Sequence, residues 1–279
     1  MTNRKEWKLG ASSCILNYYE KHTPKGFDRL RKAGILFTEL SLHHAPLMEY
    51  DFYDNPEIML KSANGKVEFT SFHVPFSPKL HPANIDPKED KEAMDIIEKS
   101  IRAALKIGIK IIVIHPSAEP NDDKTREQRI KTSIKNLTHL CTLCKDNGAI
   151  LAVENLPRTC LCNTSAELIR IVNSVPDLQI CFDTNHLLGQ TNEQLLNDLI
   201  ANNMHGRIKA IHVSDYNFID EQHWLPFEGL NDWEMILSKL EELDFDGIFM
   251  YEVSKGKGKD IPYSPEGIAE NFFSLPGIK

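Results

Sequence analysis

Eight short runs of β-branched or apolar residues recur along the chain: "WKLGASSCIL", "ILFTELSLHH", "KVEFTSFHVP", "IKIIVIHPS", "AILAVENLP", "LQICFDTNH", "IKAIHVSDY" and "DGIFMYEVS". A longer stretch of helical periodicity follows each one. With starts at Trp7, Ile35, Lys66, Ile109, Ala149, Leu178, Ile208 and Asp246, the spacings are 28, 31, 43, 40, 29, 30 and 38 residues. That is about the length of one strand–helix unit. Eight such units predict an α/β chain closed into a (β/α)8 barrel. The intervening stretches agree: "EDKEAMDIIEKSIRAALKIG" ends at glycine, "TREQRIKTSIKNLTHLCTLCKDNG" ends in Asn-Gly, and "NDWEMILSKLEELDFDG" opens on Asn and Asp caps, as outer-ring helices do.

A chain of 279 residues, 41% hydrophobic and 26% charged, buries a large core. No linker rich in Pro, Gly or Ser divides it, so residues 1–279 are expected to form one domain. Apolar runs such as Ile111–Ile114 are too short to cross a bilayer, and "MTNRKEWKLG" has no apolar signal core, so a cytoplasmic protein without a membrane partner is expected. Six cysteines in that setting are expected to be reduced thiols. A formal charge of −8 gives no electrostatic footprint for nucleic acid. The stretch "HVPFSPKLHPANIDPKED", with four prolines, reads as a rim loop or lid after the third strand.

"LAVENLP" poses the chemical question, because a buried strand should not end in an unpartnered carboxylate. Metal-capable side chains recur at the same place in other units: His73, His115, Glu154, Asp183 with His186, His212 with Asp215, and Glu252, while the second strand offers Glu39 and His43. In a barrel these ends face one mouth, where active sites of the fold lie. Any one of them alone reads as an ordinary satisfied polar residue. Together, Glu154, Asp183, His212 and Glu252 form a mixed nitrogen and oxygen set suited to one divalent cation such as Mn²⁺, Mg²⁺, Co²⁺ or Zn²⁺.

"VENLP", "CFDTNH", "IHVSD", "HWLPFEGLNDW" and "MYEVS", in this order, resemble the sugar phosphate isomerase/epimerase group of the xylose isomerase-like barrel superfamily. The resemblance covers nearly the whole chain and is strongest over residues 150–254. It implies that Glu154, Asp183, His212 and Glu252 bind one divalent cation and that His186 hydrogen-bonds substrate oxygens. It further implies that Glu154 and Glu252 exchange protons with a ketose or sugar phosphate through an enediolate. Ketose epimerisation needs two acid/base groups flanking one carbon and a stabiliser for the enediolate. An aldose–ketose isomerase could use the same site. A dehydratase acting on a cyclic keto-polyol is the alternative.

Abasic-site DNA endonucleases share the barrel and use up to three zinc ions. His73, His115, His186 and the segment Glu221-Gln222-His223 could fill their additional ligand places. Here, however, their Asp-Arg-His reads "EQH", their Gly-Gln-Gly reads "LPRTC" and their His-Pro-Gly reads "HPS". His73, His115, Asp215 and His223 are therefore expected to face substrate. In "SKGKGK", Lys255 or Lys257 is a candidate for a phosphate or polyol tail, a solvated loop being the plainer reading. Phe72, Phe76, Trp224 and Phe227 are candidates for an apolar wall, with core or rim packing as the plainer reading. Cys141 and Cys144 lie in a helical pattern, which favours packing over a zinc site. A barrel that only binds a ligand would be expected to lack a metal ligand, and none of the four is missing. Exposed strand-end loops leave a homo-oligomer open.

Overall fold

The computed structural model describes residues 3–42, 51–258 and 260–278; His43 lies outside them. Parallel strands β1 (Lys8–Ser12), β2 (Phe37–Leu40), β3 (Glu68–His73), β4 (Ile111–Ile114), β5 (Ile150–Glu154), β6 (Gln179–Asp183), β7 (Ile208–Val213) and β8 (Ile248–Tyr251) pair in sequence order. Pairing of β1 with β8 closes the barrel. All eight begin within two residues of the starts read from the sequence. A helix follows each strand: α1 (Pro24–Lys32), α2 (Glu57–Ala63), α3 (Pro87–Lys106), α4 (Asp123–Asp146), α5 (Ser165–Ser174), α6 (Asn192–Ala201), α7 (Trp233–Glu242) and α8 (Pro265–Ser274).

Local chemistry sets the helix limits. Asp86 caps α3 by accepting from the amides of Lys88 and Glu89, and Asp232 caps α7 by accepting from Met235, satisfying N–H groups that the first turn leaves open. After α3 and α4 the chain turns through Gly108 and Gly148, at φ +89° and +65°, a left-handed conformation that a Cβ disfavours. Among the described residues no helix is long and apolar enough to cross a membrane.

Strand alternation places the site. Val153, Phe182, Ile211 and Tyr251 point outward into the main core beneath the helices, while Val113, Ala152, Cys181 and Ala210 form a separate small cluster inside the barrel. Both faces of the sheet are thus buried, as a parallel barrel requires. Two residues beyond each member of the inner cluster, on the same face, come His115, Glu154, Asp183 and His212. Asp183 and His212 are direct register partners between β6 and β7.

Candidate metal centre and active-site cavity

Four strand ends converge at the floor of the mouth. One ligand atom each from Glu154, Asp183, His212 and Glu252 lies within 4.8 Å of the others. The hub is His212 Nδ1, which stands 3.2 Å from Glu154 Oε1, 3.3 Å from Glu252 Oε2 and 3.8 Å from Asp183 Oδ2. Its other nitrogen, Nε2, faces Glu39 at 3.1 Å, and Glu39 in turn accepts from Ser71 Oγ at 3.0 Å. A carboxylate behind an imidazole is the arrangement that orients a metal-binding histidine. Glu39 belongs to the site through His212; its signal in the sequence is a carboxylate in a buried strand, the same anomaly that marks Glu154.

The donor set fits a divalent cation. Asp183 Oδ2 is buried without a hydrogen-bond donor. Glu154 Oε2 has only the Nε2 atoms of His73 and His115, at 3.3 and 3.4 Å and off hydrogen-bond geometry. Buried carboxylate oxygens without donors are costly unless a cation answers them. The charges point the same way. Burial pushes Glu154 up, but His212 and His115 outweigh it and hold the carboxyl well below the usual range. Burial, with the charge of Glu154 nearby, pushes Asp183 up to about 6. His212 is lifted well above its ordinary value although burial opposes the charge, because Cys181 and the carboxylates of Glu39, Glu252 and Glu154 surround it. Protons on imidazoles here balance acids that a metal ion would balance instead.

The segments after the strands lock this floor in place. Asn155 donates Nδ2 to the Asp183 carbonyl and accepts from the Asp183 amide, tying β5 to β6. Thr184 Oγ1 donates to the Ser214 carbonyl and accepts from its amide, tying β6 to β7. Asn185 Oδ1 accepts from the amides of Gln222 and His223, which carries the long loop after β7 over the site.

A second group stands above the first: His186, Glu221 and His223 also offer ligand atoms within 4.8 Å of one another. His186 Nδ1 lies 3.2 Å from Glu154 Oε1, and its Nε2 lies 3.5 Å from Glu221 Oε2. His223 Nδ1 donates to the Glu252 carbonyl at 3.0 Å, which leaves Nε2 turned towards Glu221 at 3.8 Å. His73 Nδ1 donates to the Val74 carbonyl, and His115 stacks on Phe76 with ring centroids 3.9 Å apart. His73, Phe76, His115, Glu154, His186, Glu221, His223 and Glu252 line one cavity of about 750 Å³, with Asp183 and His212 beneath its wall.

Several expected site residues lie elsewhere. Asp215 is buried with both oxygens engaged: Oδ1 accepts from the amides of Tyr216 and Asn231, Oδ2 from the Phe227 amide and the Trp233 indole. Gly229 is needed beside it, since a Cβ there would lie 2.2 Å from Asp215 Oδ1. Asp215 thus organises the loop after β7 and does not line the cavity. Lys255 pairs with Asp260, and Lys257 binds the Glu228 carbonyl and sits over the Trp224 ring; neither belongs to the described cavity wall. Phe72 packs in the core against Phe52, and Trp224 and Phe227 also lie off the described wall. Of the four aromatics only Phe76 lines it, carried there with Ser77 and Pro78 by the proline-rich rim loop. All six cysteines are free, and no metal-capable group among the described residues includes one. Tyr18 and Arg158 line the cavity as well; nothing in their local sequence marks them.

A closed parallel barrel with an acid and imidazole cluster at the C-terminal ends of its strands defines a class of barrel with metal-capable sites. The xylose isomerase-like TIM barrel family model matches residues 27–272, and the chain belongs to that family. An uncharacterized protein of Methanocaldococcus jannaschii is 28% identical over 185 residues, 64% of this chain; the match spans 62% of that relative's length. Among solved structures, a D-tagatose 3-epimerase-like protein is 23% identical with a TM-score of 0.71, covering 90% of this chain and 92% of that one. A 3-keto-D-glucoside 4-epimerase from E. coli is 16% identical with a TM-score of 0.72, covering 96% and 98%. A D-allulose 3-epimerase from Methylomonas sp., in complex with D-allulose, is 14% identical with a TM-score of 0.73, covering 98% and 97%.

Proposed function

We propose that this protein is a divalent-metal-dependent isomerase or epimerase of a ketose or sugar phosphate. One observation carries the reading: Glu154 at the end of β5 and Glu252 just after β8 approach the same His212 nitrogen, at 3.2 and 3.3 Å, from different walls of the barrel. Both line the cavity. Two carboxylates so placed can act on opposite sides of a substrate carbon, one accepting the proton next to the carbonyl and the other delivering a proton to the far face. Glu154, Asp183, His212 and Glu252 would hold one divalent cation of the Mn²⁺, Mg²⁺, Co²⁺ or Zn²⁺ type; when bound, it supplies positive charge that stabilises the enediolate oxygen. His186 and His73 stand within reach of substrate hydroxyls, and Glu39 keeps His212 turned to the centre. The epimerase names of proteins sharing the fold support this reading. Dehydration of a keto-polyol would begin with the same proton abstraction.

The upper group supports a second reading. His73 and His115 beside Glu154, together with His186, Glu221 and His223, offer places for further cations, as a phosphodiester hydrolase acting on abasic DNA would need. The deciding experiment is metal analysis by mass spectrometry on protein prepared without chelator. It is paired with solvent-deuterium exchange into ketohexoses. About one metal per chain, weakened in Glu252→Gln, together with exchange lost in that variant, is the expected result. Two or three zinc ions per chain with cleavage of abasic DNA and no exchange would replace this reading with the second.

A further inference from the structure

Taking the isomerase reading as its premise, the wall of the cavity narrows the substrate further. Arg158, at the rim after β5, is the only Lys or Arg on the wall among the described residues. Arg158 is already engaged on every nitrogen. Nε donates to Glu119 at 2.8 Å, one terminal nitrogen lies 2.6 Å from the same carboxylate, and the other meets Asp220 at 2.8 Å and also Glu221. Three carboxylates share this one guanidinium. A phosphate ester brought to this part of the rim would find the guanidinium already paired and would face Glu119 and Glu221, which repel it.

The same wall is apolar where a sugar would be expected to end. Phe76 and Pro78 after β3 and Leu156 and Pro157 after β5 form one side, and Tyr18 and Val253 after β1 and β8 form the other. Leu156, Pro157 and Val253 are buried and back this wall, while Phe76, Pro78 and Tyr18 present its surface; Phe76 is held by its stack on His115. The cavity, at about 750 Å³, lies in the upper part of the roughly 300–1,000 Å³ range of pockets that enclose drug-sized ligands. A six-carbon sugar, with on the order of a dozen heavy atoms, fills only part of such a volume and has no apolar body to set against these side chains.

We propose that the substrate is an uncharged keto sugar carrying an apolar substituent. Its carbonyl end rests on the carboxylate and histidine floor, and its substituent lies against Phe76 and Pro78. Arg158 acts as a specificity residue whose charge is cancelled by Glu119, Asp220 and Glu221, so that phosphorylated sugars are excluded.

The test uses metal-loaded full-length protein and ketohexoses in three matched forms, free, 6-phosphate and 6-O-benzyl ether, with binding followed by calorimetry and turnover by deuterium exchange. The benzyl ether is expected to bind at least about tenfold more tightly than the free sugar, and the phosphate no more tightly than the free sugar. Phe76→Ala should erase most of the benzyl ether's advantage over the free sugar, read as the ratio of the two affinities within the variant. The double variant Glu119→Gln with Asp220→Asn, which leaves Arg158 with Glu221 as its one remaining carboxylate partner, should improve phosphate binding at least about fivefold. Tightest binding by the phosphate in the unmodified protein, no preference for the benzyl ether, no binding by any of the three, or no gain in the double variant would overturn the proposal. Preferred binding of the benzyl ether without exchange would support the pocket assignment and sink the isomerase reading, so the two fail separately.

Discussion

Two groups of acids and imidazoles share the mouth of this barrel, and they are held in different ways. The lower group rides on four neighbouring strands: the side chains of Glu154, Asp183 and His212 have no exposure, and that of Glu252 is 18% exposed. The upper group, His186, Glu221 and His223, hangs on segments after β6 and β7, with Glu221 and His223 at 23% and 27%. Glu221 is also shared with Arg158. Strand pairing fixes the lower group to the register of the sheet, whereas the upper group depends on loop hydrogen bonds such as those of Asn185. The lower group is therefore where rigid geometry is available for proton transfer, and the upper group is where selectivity can be adjusted.

The contrast can be broken most sharply by removing one charge from each group. Glu154→Gln and Glu252→Gln should each reduce deuterium exchange into substrate by about 10²–10⁴-fold, the range of a lost general acid or base. Glu221→Gln should change it by no more than about tenfold. A Glu221 variant as inactive as the other two would show that both groups act as one catalytic unit.

A weaker effect is expected from the loop that carries the upper group. Asp215→Ala would leave four donors, the amides of Tyr216, Phe227 and Asn231 and the Trp233 indole, without their acceptor. A loss of about 2–4 kcal/mol and several degrees in Tm is expected, measured by thermal unfolding of the metal-free protein. An unchanged Tm would mean that the loop is held by other contacts.

The smallest effect sharpens the role of carboxylates in the site. His22 is almost as buried as His212 but packs against Ser13 and the Ser41 carbonyl, with no acid beside it among the described residues. Burial pushes its imidazole down to about 4 from an ordinary value of 6.5, opposite to the rise at His212. Because the folded value is depressed, the unfolded chain takes up this proton first. The stability it contributes is whole above about pH 6.5 and is lost as pH falls towards about 4, by up to about 3 kcal/mol. Urea midpoints of the metal-free protein across that interval should fall less steeply in His22→Gln than in the unmodified chain. Identical slopes would show that His22 stays neutral in both states.

Much of this architecture was legible from residue order. Strand spacing and the helix stops at Gly108 and Gly148 mark local events, and local events leave local signals. The lower group was legible for a related reason: Glu154 and Asp183 interrupt apolar runs at the same position in successive units. Glu39 follows the same rule, yet its partner His212 lies on a strand far away in the chain, so its role emerges only on closure of the barrel. Asp215 misled because a strand-end carboxylate has the same composition whether it faces the mouth or caps a loop; the donors that decide the matter come from residues 216–233. For Lys255 and Lys257 both readings stayed open in the sequence, since a lysine's reach is settled by nearby carboxylates and carbonyls. Arg158 had no signal at all, because its meaning lies in three partners contributed by other loops.

The layer of Val113, Ala152, Cys181 and Ala210 below the ligands has one more consequence. Small side chains there let the ligand-bearing layer sit low in the barrel, so the reacting groups lie at the bottom of a well with the rim loops above them. Depth is thereby a property of residues that touch neither substrate nor cation. Adding volume at Ala152 or Ala210 would raise the floor without altering any group that does chemistry, and the well would become shallower for every substrate alike.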